Sequence, residues 1–249
     1  MTANNQHILA LRKLWQQAFK DSDAVLDAFF ATGFSPERCN YICVDDIPIC
    51  AVYWFDCTLD NHKLAYLYAM ATEKAHQSKG FAHRLMAHTH RHLAACGYEG
   101  AILVPGSKKL FALYKELGYQ TISYVTEFSC ERGNSPVSLK EIDTQQYAQL
   151  RRQYLPAGGV IQEGALLDFL HTQARFYLGD DFLMAASTNT DTLYVQELLG
   201  NTQAASGILH TLNLSHGQFR TPGYGREFAM FHPLWQNCPV PSYLGLALD

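Results

Sequence analysis

The 249-residue sequence predicts an α/β protein: a mixed sheet covered by helices, followed by a second, smaller α/β domain. Apolar residues recur at helical spacing in several segments, and runs rich in β-branched and aromatic residues lie between them. A Gly-Asn-Ser-Pro stretch at 133–136 interrupts this pattern, as linkers do. We therefore predict two domains, 1–130 and 131–249.

The first third of the chain predicts two helices, over residues 8–18 and 22–30, and then three strands, over 39–44, 49–58 and 63–72. The helices show apolar residues every three or four positions, and a serine precedes the second as a cap. The strands are separated by short turns that contain Asp, Asn or Pro.

The pattern then alternates. A helix over 79–96, a strand over 101–104, a helix over 108–117 and a strand over 119–128 follow in turn, with glycines just beyond both helices. The resulting order, α-α-β-β-β-α-β-α-β, predicts a mixed sheet with helices on its faces.

The second half predicts a further set of helices and strands without a close internal sequence repeat, so any kinship between the halves would be one of fold. Its helices are predicted near 144–154, 165–176 and 203–212, and its extended segments near 182–187, 192–199, 228–231 and 243–248.

Composition excludes several classes of function. A net charge of −4 argues against sequence-independent nucleic-acid binding, which needs an excess of cations. The longest apolar run, residues 64–71, is too short to span a membrane, and residues 1–6 lack the features of a signal peptide. The seven cysteines include no CxxC pair, so we expect reduced thiols in a cytoplasmic protein and no metal site.

The segment from Tyr66 to Ala82 carries the most chemical information. A buried strand over 66–72 runs through a short polar loop into a helix whose start contains Gly80. The first N–H groups of a helix lack internal partners and carry partial positive charge, which suits a phosphate or diphosphate. From Lys74 to His92 there is no acidic residue. Neither GxxxxGK[ST] nor GxGxxG occurs at this helix.

This loop, Gln77-Ser78-Lys79-Gly80-Phe81-Ala82, resembles the Q/R-x-x-G-x-G/A signature of the GNAT acetyltransferase superfamily. The ending Leu113-Tyr114-Lys115-Glu116-Leu117-Gly118-Tyr119 adds to the resemblance, which covers roughly residues 5–128. It implies the GNAT acyl-CoA N-acyltransferase fold, and a degenerate GNAT-like C-terminal domain without its own CoA loop. The family's usual first strand has only residues 1–3 available, so we expect it to be short or absent.

The resemblance also implies acetyl-CoA as co-substrate, bound in a V-shaped gap between the strands at 66–72 and 101–104. The diphosphate would contact the main-chain N–H groups of the loop, and the pantetheine arm would lie along the first strand. Main-chain N–H groups near Met70 would polarise the thioester carbonyl. The implied cofactor-binding residues are Tyr68, Ala69, Met70, Gln77, Ser78, Lys79, Gly80, Phe81 and Ala82.

Tyr114 matches the family's tyrosine near the acetyl sulfur and would act as general acid, or as a hydrogen-bond donor to the departing thiolate. Its spacing fits a core aromatic beside Leu110 and Leu117 equally well.

The general base is left open by the sequence. The strand at 66–72 contains no carboxylate, although many relatives have one there. Candidate bases are Glu127, Glu197 and the terminal carboxylate of Asp249, with Asp56 as a further carboxylate. A route through ordered water is also open, since only the neutral amine has to be reached.

The predicted function is that of a cytoplasmic N-acetyltransferase that uses acetyl-CoA. The acceptor, a small primary amine, would attack the thioester directly in a ternary complex. A peptide amine is an alternative acceptor. The acidic residues of the second half, Asp180 and Asp181 among them, favour a cationic acceptor. The alternative function is a non-catalytic acyl-CoA-binding or regulatory protein. No nucleic acid or membrane is expected as a partner, and a homo-oligomer is left open.

Overall fold

The computed structural model describes residues 5–248, and these form two mixed sheets with helices packed on them. The predicted α/β class is confirmed. Two predictions fall on residues that are not described: the short first strand expected at 1–3, and the candidate base Asp249.

The N-terminal elements follow the predicted order. They are α1 (Asn5–Phe19), α2 (Asp23–Ala28), β1 (Cys39–Val44), β2 (Ile47–Leu59) and β3 (His62–Thr72). The side chain of Ser22 caps α2 by accepting a hydrogen bond from the N–H of Val25. This cap starts the helix because it satisfies one of the N–H groups that have no partner within it.

Next come α3 (Phe81–Ala95), β4 (Gly100–Leu103) and α4 (Lys108–Glu116), again as predicted. Strands β1, β2 and β3 are antiparallel neighbours. Strand β4 pairs with β3 in parallel, because α3 returns the chain to the edge of the sheet at which β3 begins.

The single strand predicted over 119–128 is wrong. The chain forms β5 (Gln120–Thr121) in the first sheet and β6 (Tyr124–Glu131) in the second. Two hydrogen bonds stabilise the break between them: the N–H of Ile122 donates to the carbonyl of Ala229 at 3.0 Å, and the hydroxyl of Ser123 donates to the carbonyl of Leu244 at 3.2 Å. These partners are distant in sequence, so strand propensity alone did not reveal the break.

The remaining elements in chain order are β7 (Lys140–Ile142), α5 (Thr144–Tyr154), β8 (Ile161–Gln162), α6 (Ala165–His171), β9 (Arg175–Leu178), β10 (Phe182–Asn189), β11 (Thr192–Gly200), α7 (Ala205–Leu212), β12 (His216–Pro222), β13 (Arg226–Glu227) and β14 (Met230–Pro233). The second sheet contains β6 and six of these strands, in the order β13-β6-β12-β11-β10-β9-β7.

Several details of the second half differ from prediction. The helix expected over 165–176 ends at His171, because the chain continues into β9, where exposed Arg175 alternates with buried Phe176. The strand expected over 228–231 begins at Met230, and β12 was not predicted. Residues 243–248 form no strand and make one isolated bridge, between Tyr243 and Gly159.

The two sheets exchange segments across residue 130. Strand β14 comes back from the second half and inserts between β4 and β5, and β8 pairs with β2. The ring of Phe169 in α6 packs 5.3 Å from that of Phe29 and stacks at 6.4 Å on that of Phe55. The halves therefore share a hydrophobic core, and the division into domains 1–130 and 131–249 remains our proposal.

Among residues 5–248, none of the helices combines the length and the apolar composition that crossing a bilayer requires.

Candidate functional site

The site begins where two parallel strands separate. Pairing between β3 and β4 covers only Leu64–Tyr66 opposite Gly100–Ile102. Strand β3 then continues to Thr72, while β4 ends at Leu103. A gap therefore opens between the two strands toward the loop that starts α3.

A β-bulge lies on β3 at this gap. Ala51 pairs with Ala71 and Tyr53 pairs with Tyr68, so Ala69 and Met70 together face one residue of β2. The φ angle of Ala69 is +48°, in the left-handed region that non-glycine residues rarely adopt. A bulge takes backbone groups out of the ladder, so the main chain at Ala69 and Met70 is available to a ligand.

A cavity of about 310 Å³ occupies the gap. One wall is apolar and comes from the β3–α3–β4–α4 side, and the opposite wall is aromatic and comes from α1 and β3. Ala247 and Leu248, from the end of the described chain, also line it. The lining includes Trp15, Phe19, Asp21, Tyr66, Tyr68, Ala69, Met70, Met86, Leu103, Leu110, Tyr114, Ala247 and Leu248.

The loop before α3 is exposed and has an unusual backbone. Ser78 and Gly80 have φ angles of +60° and +79°. The amide of Gln77 donates to the carbonyl of Thr72 at 3.1 Å and so ties the loop to the end of β3. Within the described residues, the first N–H of this helix with a backbone acceptor belongs to Arg84, bonded to the carbonyl of Gly80 at 3.1 Å.

The loop therefore fits a diphosphate. The N–H of Gln77 donates to the carbonyl of Lys74 at 3.4 Å, whereas the N–H groups of residues 78–83 have no backbone acceptor among the described residues and carry the positive end of the helix dipole. A Cβ added at Gly80 would meet nothing within 4 Å, so the space above the loop is open. Gln77, Ser78 and Lys79 are exposed, and Phe81 and Ala82 are half-buried at the first turn.

Tyr114 is a buried residue in the lining of the cavity. It is 7% exposed, and burial raises the pKa of its hydroxyl to about 12. Its ring meets that of Tyr119 edge-on at 5.6 Å, and a 2.8 Å hydrogen bond joins the hydroxyl of Tyr119 to Nε2 of His90. The hydroxyl of Tyr114 itself has no hydrogen-bond partner among the described residues, although it lines the cavity.

Two of the candidate bases lie elsewhere. Glu197 is fully buried, and its two oxygens accept hydrogen bonds from Arg151, Tyr147 and Tyr243. Glu127 lies on the second sheet and accepts hydrogen bonds from Arg220 and Arg226. Neither residue lines the cavity, because β6 and β11 belong to the second sheet. The sequence could not show this assignment of the two strands.

Two further carboxylates near the first sheet are also engaged. A 2.7 Å hydrogen bond joins Glu73 to His76 within the loop after β3. Asp56 accepts a hydrogen bond from the hydroxyl of Tyr98 and pairs with Arg38 at 3.1 Å. Neither is among the residues that line the cavity.

Asp21 is a site residue that the sequence did not reveal. It is half-buried in the turn between α1 and α2, lines the cavity, and accepts a 2.7 Å hydrogen bond from the indole N–H of Trp15. Nothing in the local pattern distinguishes it from Asp23 or Asp27, which lie nearby in sequence and are exposed. Only the packing of α1 against β3 brings it to the gap.

The comparisons with known proteins agree with this geometry. Residues 2–122 match the family described as "Acetyltransferase (GNAT) domain". No curated protein matches the sequence. The fold, the gap and this family match together support acyl transfer in general. The match to the GNAT acetyltransferase family thus covers the N-terminal part of the chain, just under half of its length.

Solved structures extend the likeness to nearly the whole chain. A probable N-acyltransferase from Enterococcus faecalis shares 14% identity with a TM-score of 0.70, over 94% of this chain and 72% of that one. A GCN5-related N-acetyltransferase from Anabaena variabilis shares 13%, with the same TM-score and coverage. A tandem GNAT protein from the clavulanic acid biosynthesis pathway shares 8%, with a TM-score of 0.55 over 95% of this chain and 98% of that one. At these identities the likeness is one of fold, and it includes the second half.

Proposed function

We propose that the protein is a cytoplasmic N-acetyltransferase that transfers the acetyl group of acetyl-CoA to a small primary amine. The observation that carries the proposal is the cavity of about 310 Å³, lined by Tyr68–Met70 and Tyr114, in the gap that opens between β3 and β4 toward the loop before α3. Acetyl-CoA would contact in turn the loop through its diphosphate, the unpaired edge of β3 through its pantetheine arm, and the hydroxyl of Tyr114 through its sulfur.

In this proposal, the loop residues Gln77–Ala82 hold the diphosphate through their main-chain N–H groups. Tyr68, Ala69 and Met70 lie along the pantetheine arm, and the main chain at the bulge polarises the thioester carbonyl. The hydroxyl of Tyr114 donates a hydrogen bond to the sulfur as it becomes a thiolate. Because its pKa is raised to about 12, the hydroxyl stays protonated at every physiological pH.

Asp21 would face the acceptor. A carboxylate in a partly buried, aromatic-walled cavity attracts an ammonium group, so the acceptor we propose is a cationic amine with an apolar body. Trp15, Tyr66 and Tyr68 supply the aromatic wall on the same side. Asp249, which is not described, stays a candidate for the base, and a water-mediated route stays open. Glu127 and Glu197 are not proposed further, because both are held in ion pairs away from the cavity.

A matched pair of glycine variants tests the diphosphate site. Gly80 and Gly97 flank the two ends of α3, both have φ of +79°, and a Cβ at either would meet nothing within 4 Å. Glu at each position therefore carries the same backbone strain. Gly80→Glu adds a negative charge where the diphosphate would bind, so we expect acetyl-CoA affinity, measured by calorimetry, to fall by more than about tenfold. Gly97→Glu should leave it unchanged, and equal affinities in two folded variants would contradict the proposal.

The alternative is a non-catalytic acyl-CoA-binding protein. It is favoured by the placement of the carboxylates, since of those in the described residues only Asp21 lines the cavity. Release of free thiol from acetyl-CoA, measured across alkyl and aryl primary amines, distinguishes the two functions. Transfer to any amine supports the enzyme, whereas tight binding of acetyl-CoA without transfer to any of them supports the alternative.

A further inference from the structure

The wall of the cavity on the acceptor side is partly built by a distant segment, residues 243–248. Ala247 and Leu248 line the cavity, and the N–H of Leu248 donates to the hydroxyl oxygen of Tyr66 at 3.5 Å. Leu244, Leu246 and Ala247 are at most 1% exposed, yet the segment belongs to neither sheet and makes a single bridge. Something other than strand pairing must therefore hold it in place.

Ser123 holds the start of the segment through hydrogen bonds with the N–H and the carbonyl of Leu244, and a buried polar network holds the part that reaches the cavity. The amide of Gln162 donates to the carbonyl of Leu246 at 2.7 Å, and its oxygen accepts a 3.3 Å hydrogen bond from Arg151. Arg151 in turn forms two hydrogen bonds with Glu197, at 2.6 and 2.9 Å. All three side chains are almost completely buried, with exposures of 0–2%. Burial lowers the pKa of Arg151, but the charge and hydrogen bonds of Glu197, together with Tyr147 and Tyr243, raise it above its ordinary value, so Arg151 stays charged.

The network also restrains the neighbouring backbone. The hydroxyl of Tyr243 donates to Glu197 at 3.0 Å, and a Cβ at Gly245 would lie only 2.1 Å from the same carboxylate oxygen. The segment therefore passes directly over the ion pair. Gln162 itself lies on β8, which pairs with β2. One side chain thus joins the first sheet, the second-half ion pair and the cavity wall.

We propose that Gln162, oriented by Arg151, is a positioning residue for the acceptor: it holds residues 243–248 as a wall that limits the size of the amine. This inference rests on the proposed acetyl transfer. Gln162 reaches neither the loop before α3 nor Tyr114, so its loss acts on the acceptor and leaves acetyl-CoA binding intact. Gln162→Met keeps the length of the side chain and removes both hydrogen bonds.

The matched control is Thr221→Val. The hydroxyl of Thr221 is also buried and donates to the carbonyl of Leu198 at 2.9 Å, within the second sheet. This variant loses one buried hydrogen bond without touching the segment. If Gln162→Met does not give a cooperative thermal transition, Leu248→Ala tests the wall directly, because Leu248 is half-buried, lines the cavity and lies outside the network.

The first measurement is deuterium uptake by the peptide that covers residues 243–248. We expect Gln162→Met to speed it by about tenfold, as the loss of one hydrogen bond would, while uptake in β11 stays unchanged. Thr221→Val should leave the segment unaffected. Unchanged uptake of the segment in Gln162→Met, or equal uptake in both variants, overturns the proposal. This measurement needs no acceptor, so it decides the positioning role even if acetyl transfer fails.

The second measurement is the kinetics with phenethylamine and with the bulkier 2-(1-naphthyl)ethylamine. Gln162→Met and Leu248→Ala should each raise KM for phenethylamine by about tenfold and lower the preference for it over the naphthyl compound, with Kd for acetyl-CoA within twofold of the parent. A parallel rise in acetyl-CoA Kd, or an unchanged amine KM, overturns the proposal. Absence of transfer by the parent protein overturns the proposed function instead.

Discussion

Removal of the Tyr114 hydroxyl separates two roles that this residue could have in acyl transfer. Burial raises its pKa to about 12, whereas a departing thiol has an ordinary pKa near 8.5. Full proton transfer to the thiolate would then be uphill by about 5 kcal/mol, from a difference of about 3.5 between the pKa values. A hydrogen bond to the charged sulfur is worth about 1.5–3 kcal/mol without that cost. We therefore expect hydrogen bonding to dominate.

Tyr114→Phe should accordingly lower kcat by about 10- to 150-fold, the equivalent of that hydrogen bond. The hydroxyl has no hydrogen-bond partner among the described residues, so its loss should leave the melting temperature within about 2 °C of the parent. Because the raised pKa keeps the hydroxyl protonated, ionisation of Tyr114 should cause no fall in rate between pH 7 and 10.

Thiol release from acetyl-CoA, followed with a chromogenic disulfide across that pH range, measures both effects. Trp235→Phe, a change at an exposed aromatic residue that does not line the cavity, serves as the control. A folded Tyr114→Phe protein with kcat within twofold of the parent would refute the assigned role. So would a loss of rate in the parent above pH 8 that the variant abolishes.

Three further predictions concern stability. Burial, and then the neighbouring His232, lowers the pKa of His90 to about 4. Because the unfolded chain binds the proton more readily, urea titrations should show that the free energy of unfolding falls by up to about 3 kcal/mol between pH 6.5 and pH 4. His90→Gln should flatten this dependence on pH. Glu197→Leu, which leaves Arg151 buried without its partner, should cost about 3–5 kcal/mol, with much of the loss recovered by adding Arg151→Met; a cost below about 1 kcal/mol contradicts the pairing. Gly245→Ala should cost about 1–3 kcal/mol, since its Cβ would lie 1.9 Å from the Tyr243 hydroxyl, whereas Gly106→Ala, in open space, should cost nothing measurable.

The N-terminal elements and the loop before α3 were predictable because they depend on local chemistry. Helical spacing, the Ser22 cap and the glycines beyond the helices place α1 to α4 within a few residues. Gly80 is recognisable because the left-handed backbone at the start of α3 favours glycine, and this preference depends only on the local chain. Tyr114 was predictable because its position within one helix matches the family's tyrosine.

The acceptor side could not be predicted in the same way, because it is assembled from contacts between residues far apart in the chain. Asp21 comes from a turn after α1, and Ala247 and Leu248 come from the other end of the described chain. Their meeting depends on β14 entering the first sheet and on Gln162 bonding to Leu246, 84 residues away.

The sequence by itself determined the α/β class, the family resemblance and the loop proposed to bind a diphosphate, because each depends on residues close together in the chain. Only the tertiary structure decided which carboxylates reach the cavity. Glu127 and Glu197 bear the same charge as Asp21, but the second sheet pairs them with arginines, while the packing of α1 leaves Asp21 in the cavity wall. A carboxylate's role depends on what folding brings beside it, and no local pattern contains that information.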